Sequence, residues 1–358
     1  MKPILTVVAL AALTLSAPNF ALAQSGNLSF HWIDVEGGAA TLVVAPSGQS
    51  MLFDTGYEVG DRDAKRIFAA AQKAGLSRID YVVISHWHGD HVGGLAALSK
   101  MIPMGKFYDH GNGVEPEDRQ RLEGYKIVAG DKRTIVKPGD TIPLGGVQVQ
   151  VISSEGPVIG KAVNGGGPNP FCANAAQMGP AAPENQRMVG LLLSYGKFKY
   201  LSLADLDWQK EMELVCPVNK VGSVTMYLVS RHGGLDDSGA PAFLNAIKPQ
   251  VVIFNNGPRK GLGQADNRAK PIAVPNAAPY EKNSYLRVAK LPGIEGVWQE
   301  HLSLTDKDPA HNTAPDMIAN LEEGPADQGI GMSAVVRPDG SFTVTNERNG
   351  FSKTYTAR

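Results

Sequence analysis

Apolar residues along this chain fall in short runs punctuated by glycine, proline and asparagine. Residues 28–35, 40–45 and 50–53 read as strands, and Pro46-Ser47-Gly48 is a turn signal between the last two. Residues 61–76 read as a helix: Ile67, Ala70, Ala71 and Ala74 line one face, and Gly75 stands where a capping glycine belongs. The run 81–85 follows that helix and is apolar almost throughout, as in a strand buried on both faces of a layered α/β structure. A second helix is expected from about Val92. Short strands fill 134–151, where Val147, Val149 and Val151 alternate with Gln148 and Gln150. The runs 189–195 and 198–203 flank Gly196-Lys197, a strong hairpin signal. Two more buried-type strands follow at 225–230 and 251–254, with helical patterning at 240–247 between them. A C-terminal hairpin spans 333–345, with Asp339-Gly340 at its centre.

Composition agrees with this picture. The 358 residues are 43% hydrophobic and 19% charged, enough for a large core and unlike a disordered chain. The 40 glycines and 24 prolines suit a strand-rich enzyme better than a helix bundle. Lys+Arg number 34 against 35 Asp+Glu, a net charge of −1. That excludes a strongly basic nucleic-acid-coating protein and tight duplex binding, but not a local basic patch. Residues 1–23 read as a secretory signal peptide: Lys2, an uncharged apolar run over 4–15, and Ala21-Leu22-Ala23 before the cut at Gln24. A membrane span needs about 20 apolar residues, so this run is too short to be an anchor. The mature chain is therefore expected to be periplasmic or secreted, without a membrane anchor. Residues 24–358 read as one domain, with a long Gly/Pro/Asn-rich loop over 155–187. Of the two cysteines, Cys172 and Cys216, a disulfide is the simplest account in an exported chain. It would be worth about 4 kcal/mol by chain entropy. The rival reading gives one of them a metal or nucleophile role.

The chemistry concentrates in Ser85-His86-Trp87-His88-Gly89-Asp90-His91-Val92-Gly93-Gly94, directly after a buried strand. Imidazole nitrogen and carboxylate oxygen are the donors that zinc and similar metals take. His86 and His88, two apart in an extended turn, can point to one side. Asp90 and His91, at the start of the next helix, can face a second metal. Gly89 permits a tight turn, and Gly93-Gly94 permit close approach of the helix. Further ligand-type residues stand just beyond other strands: Asp54, Asp205, His232 and Asn255-Asn256. Open α/β sheets place their sites at such strand ends. His110 also follows a strand end. Asn255 to Gly261, with Arg259 and Lys260, has the amides, cations and glycines to cradle a phosphate or carboxylate, or to be a solvated turn.

This constellation resembles the metallo-β-lactamase-fold hydrolases: His86-x-His88-x-Asp90-His91, preceded by Asp54-Thr55-Gly56 and followed by Asp205 and His232. Asn185, the hairpin into Asp205 and Ser230-Arg231-His232-Gly233-Gly234 look like the competence-protein (ComEC-type) subgroup. The resemblance implies a four-layer αββα sandwich with two divalent metal ions, zinc first and manganese or iron as alternatives. His86 and His88 would bind the first metal, Asp90, His91 and His232 the second, and Asp205 both. Asp54 would orient the motif histidines. Two departures stand out. The histidine usual before the 189–195 strand is absent, with Asn185 or His110 the nearest candidates. Arg231 replaces a second histidine, and would hold a substrate anion or form a structural ion pair.

The expected function is an exported metal-dependent hydrolase that uses a metal-activated water, with Asp90 moving a proton. A phosphodiester, such as a nucleic-acid fragment, is the first substrate expected, with Arg231, Asn256 and Lys260 as contacts. A small-molecule lactam, lactone or ester is the second, in an apolar pocket walled by the 155–187 loop. A non-catalytic metal-stabilised binding protein is the third. The oligomeric state is not legible.

Overall fold

A computed structural model describes residues 26–264, 269–306, 308–324 and 327–358. The expected signal peptide lies outside the described residues. Among them no helix is long and apolar enough to cross a membrane.

In chain order the first half comprises β1 (Leu28–Trp32), β2 (Thr41–Val44), β3 (Ser50–Phe53), α1 (Arg62–Lys73), β4 (Ile79–Val83), α2 (Gly89–Val92), α3 (Leu95–Leu98), β5 (Met104–Asp109), α4 (Pro116–Ala129), β6 (Arg133–Ile135), β7 (Thr141–Ile142) and β8 (Gln148–Ser153). There follow β9 (Gly167–Pro168), β10 (Gln177–Met178), β11 (Gly190–Tyr195), β12 (Phe198–Ser202), α5 (Trp208–Val215), β13 (Val218–Asn219), β14 (Met226–Leu228), α6 (Pro241–Ile247), β15 (Val251–Phe254) and β16 (Pro271–Ile272). The chain ends with α7 (Ser284–Ala289), β17 (Gly296–His301), β18 (Ile318–Asn320), β19 (Met332–Val336), β20 (Ser341–Asn346) and β21 (Ser352–Thr356).

The long strands form two sheets. One runs β21-β20-β19-β1-β2-β3-β4-β5-β6, the other β18-β17-β15-β14-β12-β11-β8-β7. Each is antiparallel where hairpins connect its strands and parallel where helices do, as in β3–β4–β5 and β12–β14–β15. Side-chain alternation explains the layering. Leu42, Leu52 and Val82 face Ile67, Ala71, Leu98 and Leu122 of the helices, while Val43, Met51, Phe53 and Val83 belong to the core shared with the second sheet. In that core Phe30 meets Tyr200 across the sheets with ring centroids 4.6 Å apart. Trp208, Met212, Phe243 and Ile247 bring α5 and α6 onto the same core. The result is the αββα arrangement that the motif implied.

Several elements depart from the sequence reading. The C-terminal hairpin is a three-stranded meander, because Ser352–Thr356 adds a strand to β20. The second helix is two short ones, α2 and α3. Strands β17 and β18 and helices α4, α5 and α7 lay outside the expected set. Helix α4 buries only Asp118, Leu122, Tyr125 and Ala129 and leaves Ile127 exposed, so its periodicity is faint. Its start is signalled chemically, by a Glu115/Asp118 capping box and Pro116 in the first turn. Cys172 and Cys216 form a disulfide. The 155–187 loop is further held by two short ladders, β9 with β13 and β10 with β16.

Candidate metal centre

The site lies at the ends of β3, β4, β12, β14 and β15. Asp54 follows β3 and orients much of what comes after β4. Its Oδ1 accepts the Ser85 N–H at 2.7 Å, and its Oδ2 lies 2.8 Å from both Ser85 Oγ and His91 Nδ1. Ser85 Oγ in turn lies 2.9 Å from His86 Nδ1. One carboxylate thus fixes two imidazoles, leaving the Nε2 of each to face the site. Burial raises the Asp54 pKa, and the His91 imidazole pulls the other way.

Two donor sets result. Asp90, His91, Asp205 and His232 bring their ligand atoms within 4.8 Å of one another, and so do His86, His88 and Asp205. Asp205 Oδ1 stands 3.3 Å from His91 Nε2 and 3.2 Å from His232 Nε2. Asp90 Oδ2 stands 3.4 Å from each of the same two nitrogens. Asp205 belongs to both sets, as a bridging ligand would.

These residues fit a divalent cation on their own chemistry. His86 Nε2, His91 Nε2, Asp205 Oδ1 and His232 Nε2 are all buried and make no aligned hydrogen bond. Four converging polar atoms left so would be costly in an ordinary core. Electrostatics agrees: burial and the charges of His91 and His88 hold His86 well below the ordinary imidazole range, in the neutral form a metal needs. Burial would lift Asp205, but the imidazoles of His232 and His91 hold it well below the usual carboxylate range. His91 runs the other way: burial would lower it, but the carboxylates of Asp205, Asp90 and Asp54 push it well up, so a cation bound there would displace a proton from it.

The backbone is strained where these groups are presented. Asp54, Ala204, Arg231 and His232 all have positive φ, at 64°, 46°, 52° and 55°. Non-glycine residues in this region cost about 1–3 kcal/mol each and cluster at functional sites. The glycine pair of the motif acts as expected. A Cβ on Gly93 would stand 2.3 Å from the Glu58 N, and one on Gly94 2.2 Å from the Thr55 O. Only glycine lets α2 pack this closely against the loop after β3.

The remaining candidates separate clearly. Lys260 lines the site cavity, and its Nζ binds both Asp90 Oδ2 and Tyr57 Oη. Arg231 also lines the cavity, but is paired with Asp237 at 3.0 Å, the structural ion pair that was one of its two readings. His110 is not brought to the donor sets. Its Nε2 lies 2.9 Å from Glu184 Oε1, and its ring packs on Trp87. Asn256 points elsewhere, donating to the His301 carbonyl at 2.8 Å. Arg259 forms a bidentate surface pair with Glu323, so the expected anion cradle reduces to Lys260. Asn185 is fully buried, and neither polar atom of its amide has a partner. It sits beside Glu184, whose carboxylate takes the Trp87 N–H at 3.1 Å, between the two motif histidines. His301 Nε2 makes a 2.7 Å contact with Asp34 Oδ1. That pair, with Asp327, forms another acidic cluster, but Arg66 already reaches Asp34 at 3.0 Å.

The cavity has a volume of about 330 Å³ and is lined by His88, Asp90, Arg121, Asp205, Arg231, His232, Lys260 and Gln264, among others. It is lined by polar and charged side chains and glycines, and no residue of the 155–187 loop lines it, contrary to the expectation of an apolar pocket walled by that loop. Arg121, Gln264, Tyr57 and Glu184 had no sequence signal. Arg121 comes from α4, whose periodicity is faint, and Glu184 is a lone acid in a polar loop.

Comparison with known proteins fits this geometry. Residues 33–170 match the model of the metallo-beta-lactamase superfamily. An atrochrysone carboxyl ACP thioesterase of Emericella nidulans is 28% identical over 104 residues, 28% of this chain and 33% of that protein. A hydroxyacylglutathione hydrolase of Rhodopseudomonas palustris is 34% identical over 94 residues, 26% of this chain and 31% of that protein. The chain thus spans about a third of the length of these relatives. Among solved structures, the metallo-beta-lactamase fold protein YhfI of Bacillus subtilis aligns with a TM-score of 0.40 and 12% identity, over 63% of this chain and 85% of that one. The superfamily is supported by the family model and by these relatives. The competence-type subgroup is not, since the relatives are of thioesterase and hydroxyacylglutathione hydrolase type.

Proposed function

We propose that this chain, which carries the metallo-beta-lactamase fold and matches that superfamily over residues 33–170, is a metal-dependent hydrolase. The observation that carries the reading is the pair of donor sets sharing Asp205, with unpartnered ligand atoms turned to a polar cavity. His86, His88 and Asp205 would hold one cation, and Asp90, His91, Asp205 and His232 the other. Nitrogen and carboxylate donors suit zinc, with manganese or iron as alternatives. Bound there, the cations would lower the pKa of a water and polarise the substrate oxygen.

The chain's own residues supply the rest. Asp54 keeps His91 and, through Ser85, His86 in one tautomer and ring angle. Burial would raise the Asp90 pKa, but the Lys260 ammonium and His91 bring it well below the usual range. That suits a ligand better than the proton carrier expected from sequence. Lys260 and Arg121 place positive charge at the cavity and favour an anionic substrate. A larger hollow of about 570 Å³ between α2, α3 and α4 shares Gly89 and Arg121 with it and offers room for the rest of the molecule.

An ester or thioester bearing an anionic group is the first substrate class, supported by the thioesterase and hydroxyacylglutathione hydrolase relatives. A phosphodiester is the second, favoured by the same cavity cations. The disulfide and the leader-like first 23 residues support export to an oxidising compartment. The test is turnover of an acyl thioester, a bis-aryl phosphodiester and a cephalosporin by the metal-replete protein and by its Asp205→Ala variant. Hydrolysis of any of them that is lost in the variant and with chelator supports the reading, and the preferred substrate sets the class. Full activity in Asp205→Ala, or metal binding without turnover of any substrate, would overturn it, and the latter would leave a binding role.

A further inference from the structure

We propose that Lys260 sets how tightly the Asp90–His91–Asp205–His232 set holds its cation, by competing for the carboxylate oxygen that cation would use. This rests on the reading of the site as a metal centre. Asp90 Oδ2 is the oxygen that faces both His91 Nε2 and His232 Nε2, 3.4 Å from each. The same oxygen accepts from Lys260 Nζ. The ammonium is anchored on its other side by Tyr57 Oη at 2.7 Å and lies 5.0 Å from that ring's centroid.

The stem of Lys260 is fixed as well. The Gly257 N–H bonds the Lys260 carbonyl at 3.0 Å. Gly37 and Gly261 close the loop from either side: a Cβ on Gly37 would stand 3.0 Å from Lys260 Cβ, and one on Gly261 2.2 Å from the His232 carbonyl. The loop is thus built against the backbone of a ligand residue, and it delivers one positive charge to one oxygen. The set formed by His86, His88 and Asp205 does not use Asp90. Filling the other set must either displace the ammonium or hold two like charges on one carboxylate. Repulsion between like charges about 4 Å apart near a protein surface changes a binding constant by more than about tenfold. The two sets are therefore unequal by construction. The set with more ligands is the one that carries the opposing charge.

The experiment is a titration of the metal-stripped full chain with Zn²⁺ alone, against a chromophoric chelator, in the native protein and in Lys260→Met, Lys260→Arg and Tyr57→Phe, with folding checked by circular dichroism. Two unequal constants are expected in the native protein. Lys260→Met tightens the weaker one tenfold or more and leaves the other within twofold, and Lys260→Arg matches the native protein. Tyr57→Phe keeps the charge but frees one side of the ammonium, and tightens the weaker constant by a smaller factor. The inference is overturned if Lys260→Met leaves both constants within twofold of native while two Zn²⁺ still bind. If no Zn²⁺ binds to any of the proteins, the metal-centre reading falls, and this inference with it.

Discussion

Asp54 shows how far a single side chain can organise the centre. It stands at the end of a strand, strained at positive φ, and spends both oxygens on Ser85 and His91. Replacing it by Asn keeps the size and removes the charge that orients His91. Asp54→Asn is expected to weaken Zn²⁺ binding by about 10- to 100-fold, read by chelator competition. Unchanged affinity would remove Asp54 from its orienting role. A second residue-scale prediction concerns Glu211, buried under α6, where it accepts the Ala240 N–H at 2.9 Å. Burial pushes its carboxyl up to about 8 from an ordinary 4.5. The folded protein therefore keeps a proton that the unfolded chain releases, and stability falls as pH rises between these values. Glu211→Gln is expected to lose that slope. Its Tm should gain on the native protein's between pH 5 and pH 8, and parallel pH profiles for the two would refute the assignment.

At the scale of elements, the short turn over 184–186 links otherwise separate pieces. Glu184 accepts from Trp87 N, Val114 N and His110 Nε2, tying the histidine loop to the ends of β5 and α4. Glu184→Ala would leave the buried Trp87 N–H and His110 ring, and the half-buried Val114 N–H, without that partner. A loss of about 3–5 kcal/mol in urea unfolding is expected, with weaker Zn²⁺ binding as the loop loosens. A loss under about 1 kcal/mol would mean that the turn is held by other contacts. Asn185, next along, was legible as the odd residue at the position usually occupied by histidine. Its buried, unpartnered amide became visible only in three dimensions. Asn185→His is expected to tighten the binding of one Zn²⁺ and leave the other unchanged, in the same titration.

At the scale of the whole molecule, the disulfide pins the long loop near the start of β13. Cys172→Ser with Cys216→Ser opens a link across 44 residues. Chain entropy then predicts about 4 kcal/mol lower stability in non-reducing urea unfolding, with turnover retained because the loop lies outside the cavity lining. No change in the urea midpoint would show that the loop's ladders suffice.

The sequence by itself determined the metal-ligand chemistry and the strands that carry it. Donor types at fixed short spacing, and apolar runs bounded by turn residues, are local features, and local features are written along the chain. Tertiary structure decided what depends on residues distant in sequence. It gave Lys260 to Asp90 across a separation of 170 residues and paired Arg231 with Asp237. It turned Asn256 and Arg259 away, sent His110 to Glu184, and drew Arg121 into the cavity from a helix whose periodicity is faint. A side chain's charge and donors are intrinsic, but the partner it meets is fixed by how two sheets and their helices pack. For that reason the candidate metal ligands were legible in the residues, whereas their charge balance and the shape of the cavity were not.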